Sequence, residues 1–408
     1  MIDAASFRRD LAQREAAFQN LQPECELTVR DPALGVEGHV VVWNTGISQN
    51  GPLAGCGKGG TRITPTLTLD EVKMLARTMA LKNAAAGLPL GGAKSGLRAD
   101  PNAPDFEKTY RRFVKLCAPI LHENGGPFGG FGFDIGGRPE HALWAVDELQ
   151  SSRCFTGKPL DKGGTDYDRE GIAGLGVATA AVAAAKSFGF QVPDLTFAVQ
   201  GVGAMGAAVI RYFSAHGAKL THVADPRLNG SWHMAKGASE ELINALAHGD
   251  ISAAQQLLAT DATPMSPQSD AVLYAICDVL FPCAVQNVIT ADNVGSIHAK
   301  IVAEGANGPT ALECYPLLAA RGITVIPDFI ANPGGIIAAF VELTSDVSIA
   351  DNIQNRTKAE QAKALTVSKI TDNVAQIMQT SVGLGVTPRE AGLDLAYRRI
   401  LGRRILGQ

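Results

Sequence analysis

The 408-residue chain lacks an excess of charge of either sign: 36 Lys and Arg stand against 40 Asp and Glu, a net charge of −4. Without a basic surplus it has no electrostatic grip on a phosphate backbone or an anionic bilayer, so neither nucleic acid nor membrane is expected as a partner. Long hydrophobic runs are missing too. The longest uncharged Ala/Gly-rich stretch, from Gly171 to Ala185, falls short of the roughly 20 residues a spanning helix needs. Near the N-terminus, Asp3, Asp10 and Glu15 interrupt the apolar region a signal peptide would require, and a cytoplasmic protein is expected. The seven cysteines (Cys25, Cys56, Cys117, Cys154, Cys277, Cys283 and Cys314) are odd in number and contain no CxxC pair. That argues against a disulfide framework and a zinc knuckle, leaving reduced, mostly buried thiols. The eight histidines show no HExxH-like spacing, so no metal is assigned.

What is present is a globular α/β composition, 46% apolar and 19% charged, with 44 glycines. At roughly 150 residues per domain the length suits two or three domains. Residues 1–165 mix strand patterns (27–63) with helical ones (69–86, 105–122, 138–150) and read as one α/β domain. Residues 166–344 alternate helix and strand, with strands at 195–200, 220–225, 278–282, 300–305 and 323–328. Such alternation implies parallel crossovers and a doubly wound, Rossmann-type sheet. Residues 345–408 read as helices alone, too few for a third core, and are expected to pack back across the two domains.

After the strand at 195–200 comes Gly201-Val202-Gly203-Ala204-Met205-Gly206, opening a helix that ends near Gly217, and Asp225 closes the next strand 19 residues after Gly206. Strand, glycine turn, helix and a distal acid make a dinucleotide site: the glycines admit a pyrophosphate to the helix N-terminus and the carboxylate meets a ribose diol. Asp225 would repel a 2′-phosphate and favours NAD, while Arg227 leaves NADP open.

Thr68, Asp70 and Glu71 start a helix that stops at Gly87. Along it Val72, Leu75 and Met79 form an apolar stripe whose next position is Lys82, which predicts an inward ammonium. A lysine snorkelling from the helix end is the competing reading. Lys94, in Gly91-Gly92-Ala93-Lys94-Ser95-Gly96, has neighbours almost without side chains, which admit a ligand closely and permit the desolvation that suits a lysine base. Lys58 in GCGKGGTR has the same glycine-flanked setting. Asp134, among glycines and aromatics at 130–137, could shuttle protons beside the lysines or simply pair with one. Together these suit hydride transfer at a carbon bearing a carboxylate, with amino and 2-hydroxy acids both open.

These residues resemble the glutamate/leucine/phenylalanine/valine dehydrogenase family over nearly the whole chain: KGGTR at 58–62, KNAAAGLPLGGAKSG at 82–96, TGKP at 156–159, VQGVGAMG at 199–206, CDVLFPCA at 277–284, EGANGPT at 304–310 and NPGG at 332–335. The spacings of 24 from Lys58 to Lys82, 12 to Lys94 and 40 to Asp134 match as well. The resemblance implies NAD(P)-dependent reversible oxidative deamination of an L-amino acid to a 2-oxo acid and ammonia, in a homo-oligomer with a hexamer favoured, with residues 1–165 as the substrate-binding and oligomerisation domain. It implies that Lys82 holds the substrate α-carboxylate, that Lys94 activates water, that Asp134 shuttles protons, and that Asn307 and Asn332 line the nicotinamide and substrate site. Lys58 stands where glutamate-specific members keep a lysine for the distal carboxylate, so L-glutamate is the expected substrate. Against that, Ala339 replaces an expected serine and Ala173 an expected threonine, and each lost partner costs on the order of 1 kcal/mol of binding. The same chemistry on an apolar or unusual amino acid, and a non-catalytic dinucleotide-binding regulatory subunit, stand as alternatives.

Overall fold

The computed structural model describes residues 3–402. The chain divides into two compact units. One comprises Asp10–Glu170, Gly335–Ala362 and the chain from Leu393; the other comprises the chain up to Arg9, Gly171–Gly334 and Lys363–Gly392. The divisions fall after 9, 170, 334, 362 and 392, so the helix Ala4–Gln19 and the C-terminal helices Thr357–Leu384 and Pro388–Leu401 are each shared out between the units. No helix among the described residues is long and apolar enough to cross a membrane.

The unit containing Asp10–Glu170 is built on a five-stranded sheet. Cys25–Asp31 pairs antiparallel with Val36–Val42, and that strand pairs antiparallel with Gly91–Leu97. Gly57–Lys58 and Thr61–Ile63 run parallel to Gly91–Leu97, with Lys58 opposite Gly92 and Thr61 opposite Ser95. Helices cover both faces, and glycines stand where they come closest. A Cβ at Gly92 would overlap the backbone of Ala80 in the helix Leu69–Ala85, and one at Gly38 would overlap the ring of Phe113 in the helix Phe106–Cys117. Around Tyr110 and Phe113, the residues Val40, Leu97, Phe128, Phe131 and Phe155 form an aromatic-rich core.

The helix Leu69–Ala85 starts where its sequence predicts, with Thr68 Oγ1 accepting from the Glu71 amide at 3.2 Å. Its buried face differs from the predicted stripe: Val72, Ala76, Ala80 and Asn83 are buried, whereas Leu75, Met79 and Lys82 lie half-buried on the flank. Contact with a strand of glycines demands small residues, so the alanines and not the larger side chains turn inward.

The other unit carries a seven-stranded sheet in the order Thr263–Ser266, Gly230–His233, Lys219–Asp225, Thr196–Gln200, Val279–Pro282, Ile301–Ala303, Thr324–Ile326. The last five are parallel, a doubly wound arrangement, and the first two extend it antiparallel. The Ala/Gly-rich segment forms the helix Ile172–Ser187, buried nearly all round. Gly174 lets it lie directly on the helix Ala204–Ser214, where a Cβ would come 2.8 Å from Met205 O.

Candidate active site

The glycine-set lysines and the aspartate fall in the first of these units. Lys94 lies on the strand Gly91–Leu97, and period two places it on the same face as Gly92 and Gly96. Its ammonium meets Asp134 Oδ2 at 2.6 Å, inside the reach for direct proton transfer. Arg62, from the adjoining strand, donates through Nε to the same Asp134 oxygen at 3.2 Å and pairs with Glu71 at 2.9 Å. Burial pushes the Lys94 ammonium below its ordinary value; Asp134 offsets part of that, and Arg62 adds to it. Burial works to raise the Asp134 carboxyl, but Lys94 and Arg62 outweigh it and hold the group below the usual aspartate value. The result is a carboxylate that stays ionised against an ammonium that releases its proton more readily than a solvated lysine.

Lys58 is 1% exposed, and its ammonium donates to the carbonyls of Gly59 at 3.1 Å, Gly130 at 2.8 Å and Phe131 at 2.7 Å. Burial lowers its pKa to about 7. Ala339, on the helix Gly334–Thr344, is buried in the same unit. Three further residues, Arg62, Asn83 and Glu342, support this arrangement without a motif of their own in the sequence. Arg62 follows the lysine motif directly and orients Asp134. Asn83, inward on the helix, donates to Lys58 O at 3.1 Å and Gly91 O at 2.7 Å, tying two strands together; its helical phase was the available signal. Glu342 accepts from the amides of Gly157 at 3.0 Å and Thr165 at 3.1 Å and from the ammonium of the buried Lys158.

The second unit holds the glycine turn. Gly201 takes a left-handed φ of +85°, Gly203 precedes the helix Ala204–Ser214 with nothing within 4 Å of a would-be Cβ, and a Cβ at Gly206 would overlap Gly201 O. The turn follows the strand Thr196–Gln200, whose neighbours Lys219–Asp225 and Val279–Pro282 lie on opposite sides, which makes it the switch point of the sheet. Asp225 accepts from the Val202 amide at 2.7 Å and from Arg227 Nε at 2.9 Å, so the acid and the arginine are paired with each other. Asn332 Nδ2 donates to Gly305 O at 3.0 Å and Asn307 Oδ1 at 3.1 Å, joining NPGG to EGANG. The amide oxygens of Gln200 and Asn332 are buried without a donor. Ala173, half-buried at the start of its helix, also belongs to this unit. Glu304, which no sequence motif marks as titratable, is fully buried, accepts from Tyr315 Oη at 2.9 Å and from the Asp328 amide at 2.9 Å, and is raised by burial and by Asp328 to about 8.

The comparisons with known proteins point one way. The NADP(+)-dependent glutamate dehydrogenase of Pyrobaculum calidifontis is 32% identical over 336 residues, 79% of this chain and 78% of that one. The catabolic NAD-specific glutamate dehydrogenase of Bacillus subtilis is 32% identical over 331 residues, 79% and 75% of the two chains. Among solved structures, the glutamate dehydrogenase of Peptoniphilus asaccharolyticus aligns with a TM-score of 0.76 at 25% identity, covering 99% of this chain and 98% of that one. Residues 23–148 match the Glu/Leu/Phe/Val dehydrogenase dimerisation domain, and residues 163–402 match the Glutamate/Leucine/Phenylalanine/Valine dehydrogenase model. The chain belongs to the glutamate/leucine/phenylalanine/valine dehydrogenase family of amino-acid dehydrogenases.

Proposed function

We propose that this protein catalyses the reversible oxidative deamination of L-glutamate to 2-oxoglutarate and ammonia with NAD, NADP being accepted in the same site. The observation that carries the chemistry is the contact of 2.6 Å between the buried Lys94 and the half-buried Asp134. Lys94 takes a proton from the water that attacks the iminium carbon, and Asp134 moves protons to and from the departing amine. Lys82 receives the α-carboxylate. A regulatory subunit without catalysis would have no use for a base and a proton relay in contact, which speaks against that alternative.

A dinucleotide fits the residues present: the open approach at Gly203, the helix N-terminus behind it and the donorless oxygens of Gln200 and Asn332 are what such a ligand would engage. A bound nicotinamide would supply the acceptor for the hydride that leaves the α-carbon. Gly201, Gly203 and Gly206 would carry the pyrophosphate, Asp225 the ribose, and Asn307 with Asn332 the nicotinamide end. Asp225 favours NAD, and Arg227 beside it offers a cation to a 2′-phosphate.

Glutamate as substrate is supported by relatives named as glutamate dehydrogenases at 32% identity. An apolar amino acid is the second reading, favoured by the alanines at 173 and 339 and by an ammonium at Lys58 already bonded to main chain. The proposed assembly is a homo-oligomer, a hexamer in the cytoplasm, supported by the match of 23–148 to a dimerisation domain. The deciding experiment follows loss of NADH and of NADPH absorbance with a panel of 2-oxo acids, with and without ammonium. Turnover of 2-oxoglutarate only with ammonium is expected. Turnover confined to apolar oxo acids would sink the glutamate reading, and ammonium-independent turnover would indicate a 2-hydroxy acid.

A further inference from the structure

Lys58 makes a set of contacts that a substrate ligand has no need of. An ammonium has three N–H donors, and all three are directed at main-chain carbonyls, two of them, Gly130 O and Phe131 O, from one short segment. The segment is shaped around the lysine in turn. A Cβ at Gly129 would stand 3.1 Å from Lys58 Cδ and 2.7 Å from Cys56 Sγ, and a Cβ at Gly132 would stand 3.3 Å from Lys58 Nζ. The backbone at Lys58 is held as well, by Asn83 from the helix and by pairing with the strand that carries Lys94. Two residues beyond Gly132 the same segment reaches Asp134. Gly60, two residues after Lys58, lies so close to it that a Cβ would be 2.5 Å from Phe133 O and 3.3 Å from Asp134 Cβ.

We propose that Lys58 is a positioning residue: its ammonium fastens the segment 130–132 to the strand Gly57–Lys58 and thereby sets Asp134 against Lys94. This rests on the dehydrogenase reading for its kinetic consequence, but not for its structural one. In this arrangement a distal carboxylate has to compete with Gly130 O and Phe131 O for the ammonium. Moving it to one would strip the buried carbonyl of Gly130 of this bond and leave Phe131 O only the longer one from Thr156 Oγ1 at 3.4 Å. The chain therefore uses the lysine of its KGG motif to build the proton relay.

The test compares the wild-type protein with Lys58→Met, which keeps the apolar stem and removes the three donors. Hydrogen–deuterium exchange followed by mass spectrometry is read on peptides covering 128–137, without substrate. Faster exchange there in the variant is expected, with the peptides of the seven-stranded sheet unchanged; unchanged exchange at 128–137 would overturn the proposal. In the ammonium-dependent assay, kcat is expected to fall tenfold or more for 2-oxoglutarate and for an oxo acid without a distal carboxylate alike, with KM nearly constant and the pH profile displaced. A loss confined to KM for 2-oxoglutarate would make Lys58 a substrate ligand and refute positioning. Gly132→Ala, which crowds the ammonium but leaves it in place, keeps the question open to experiment should Lys58→Met fail to fold, and is expected to move exchange and kcat in the same direction by less. Absence of ammonium-dependent turnover in the wild type would defeat the dehydrogenase reading and leave the exchange result to judge Lys58.

Discussion

At the scale of single residues, the proposed chemistry turns on how a buried ammonium and a half-buried carboxylate alter each other. Asp134 raises the pKa of Lys94 while burial lowers it, so removing the carboxylate alone leaves a buried ammonium with less support. Asp134→Asn is expected to lower kcat by roughly 10²–10⁴-fold, the range associated with loss of a general acid–base group. The limb of the pH–rate profile belonging to Lys94 is expected to move to lower pH, and a profile displaced upward would contradict the assigned coupling. Glu304 offers a stability test of opposite sign to most acids. Its carboxyl is raised from 4.5 to about 8, so between those values the unfolded chain has lost a proton that the folded one retains, and stability falls as pH rises through that window. Glu304→Gln removes this penalty. Its stability relative to wild type, followed through the melting temperature, is expected to improve progressively from pH 5 to pH 8, by an amount on the order of a few kcal/mol at the upper end. A constant difference across that range would mean the carboxyl titrates normally.

At the scale of elements, two glycines separate packing from ligand access. Gly92→Ala sets a methyl against the Ala80 backbone, which has no rotamer with which to yield. A loss of about 1–3 kcal/mol is expected from overpacking, read as a lower midpoint of denaturant unfolding. Gly203→Ala meets nothing within 4 Å. Its unfolding midpoint is expected to stay unchanged while KM for the dinucleotide rises, and a matching loss of stability would show that the turn is packed shut. The same contrast explains which elements could be read from sequence. The five parallel strands were legible because each is a buried apolar run between helices. The pair Gly230–His233 and Thr263–Ser266 was not: each has four residues, and the outer one is mostly exposed and contains Pro264, as an edge strand permits. The phase of the helix Leu69–Ala85 departs from its stripe of large apolar residues because close contact with Gly92 selects Ala80 for the inner face. In the candidate site, Lys94 and Asp134 stood out by their glycine surroundings. Their contact did not, since 40 residues of sequence carry no information about distance. Arg62 and Asn83 lay beside the motifs, and what they do depends on pairing and helical phase that only the fold supplies.

At the scale of the whole molecule, thiol chemistry reports on the integrity of both units at once. All seven cysteines are free, and six of them are buried, with Cys25 partly exposed. Burial pushes the Cys56, Cys154 and Cys277 thiols up to about 12, which suppresses the reactive thiolate. Titration of the native protein with a chromogenic disulfide reagent is expected to consume at most one thiol rapidly and all seven in denaturant. Several fast thiols in the native protein would contradict the packing described. Each unit, moreover, is assembled from three separate stretches of chain. Cutting the gene at any single point therefore cannot release either one whole: a fragment ending at 165 would lack Glu342, which accepts from Gly157, Lys158 and Thr165. Domain swaps between relatives, the usual way of transplanting cofactor preference, would here have to exchange interleaved segments in register, and a circular permutant that joined each unit's segments would be a different topology altogether.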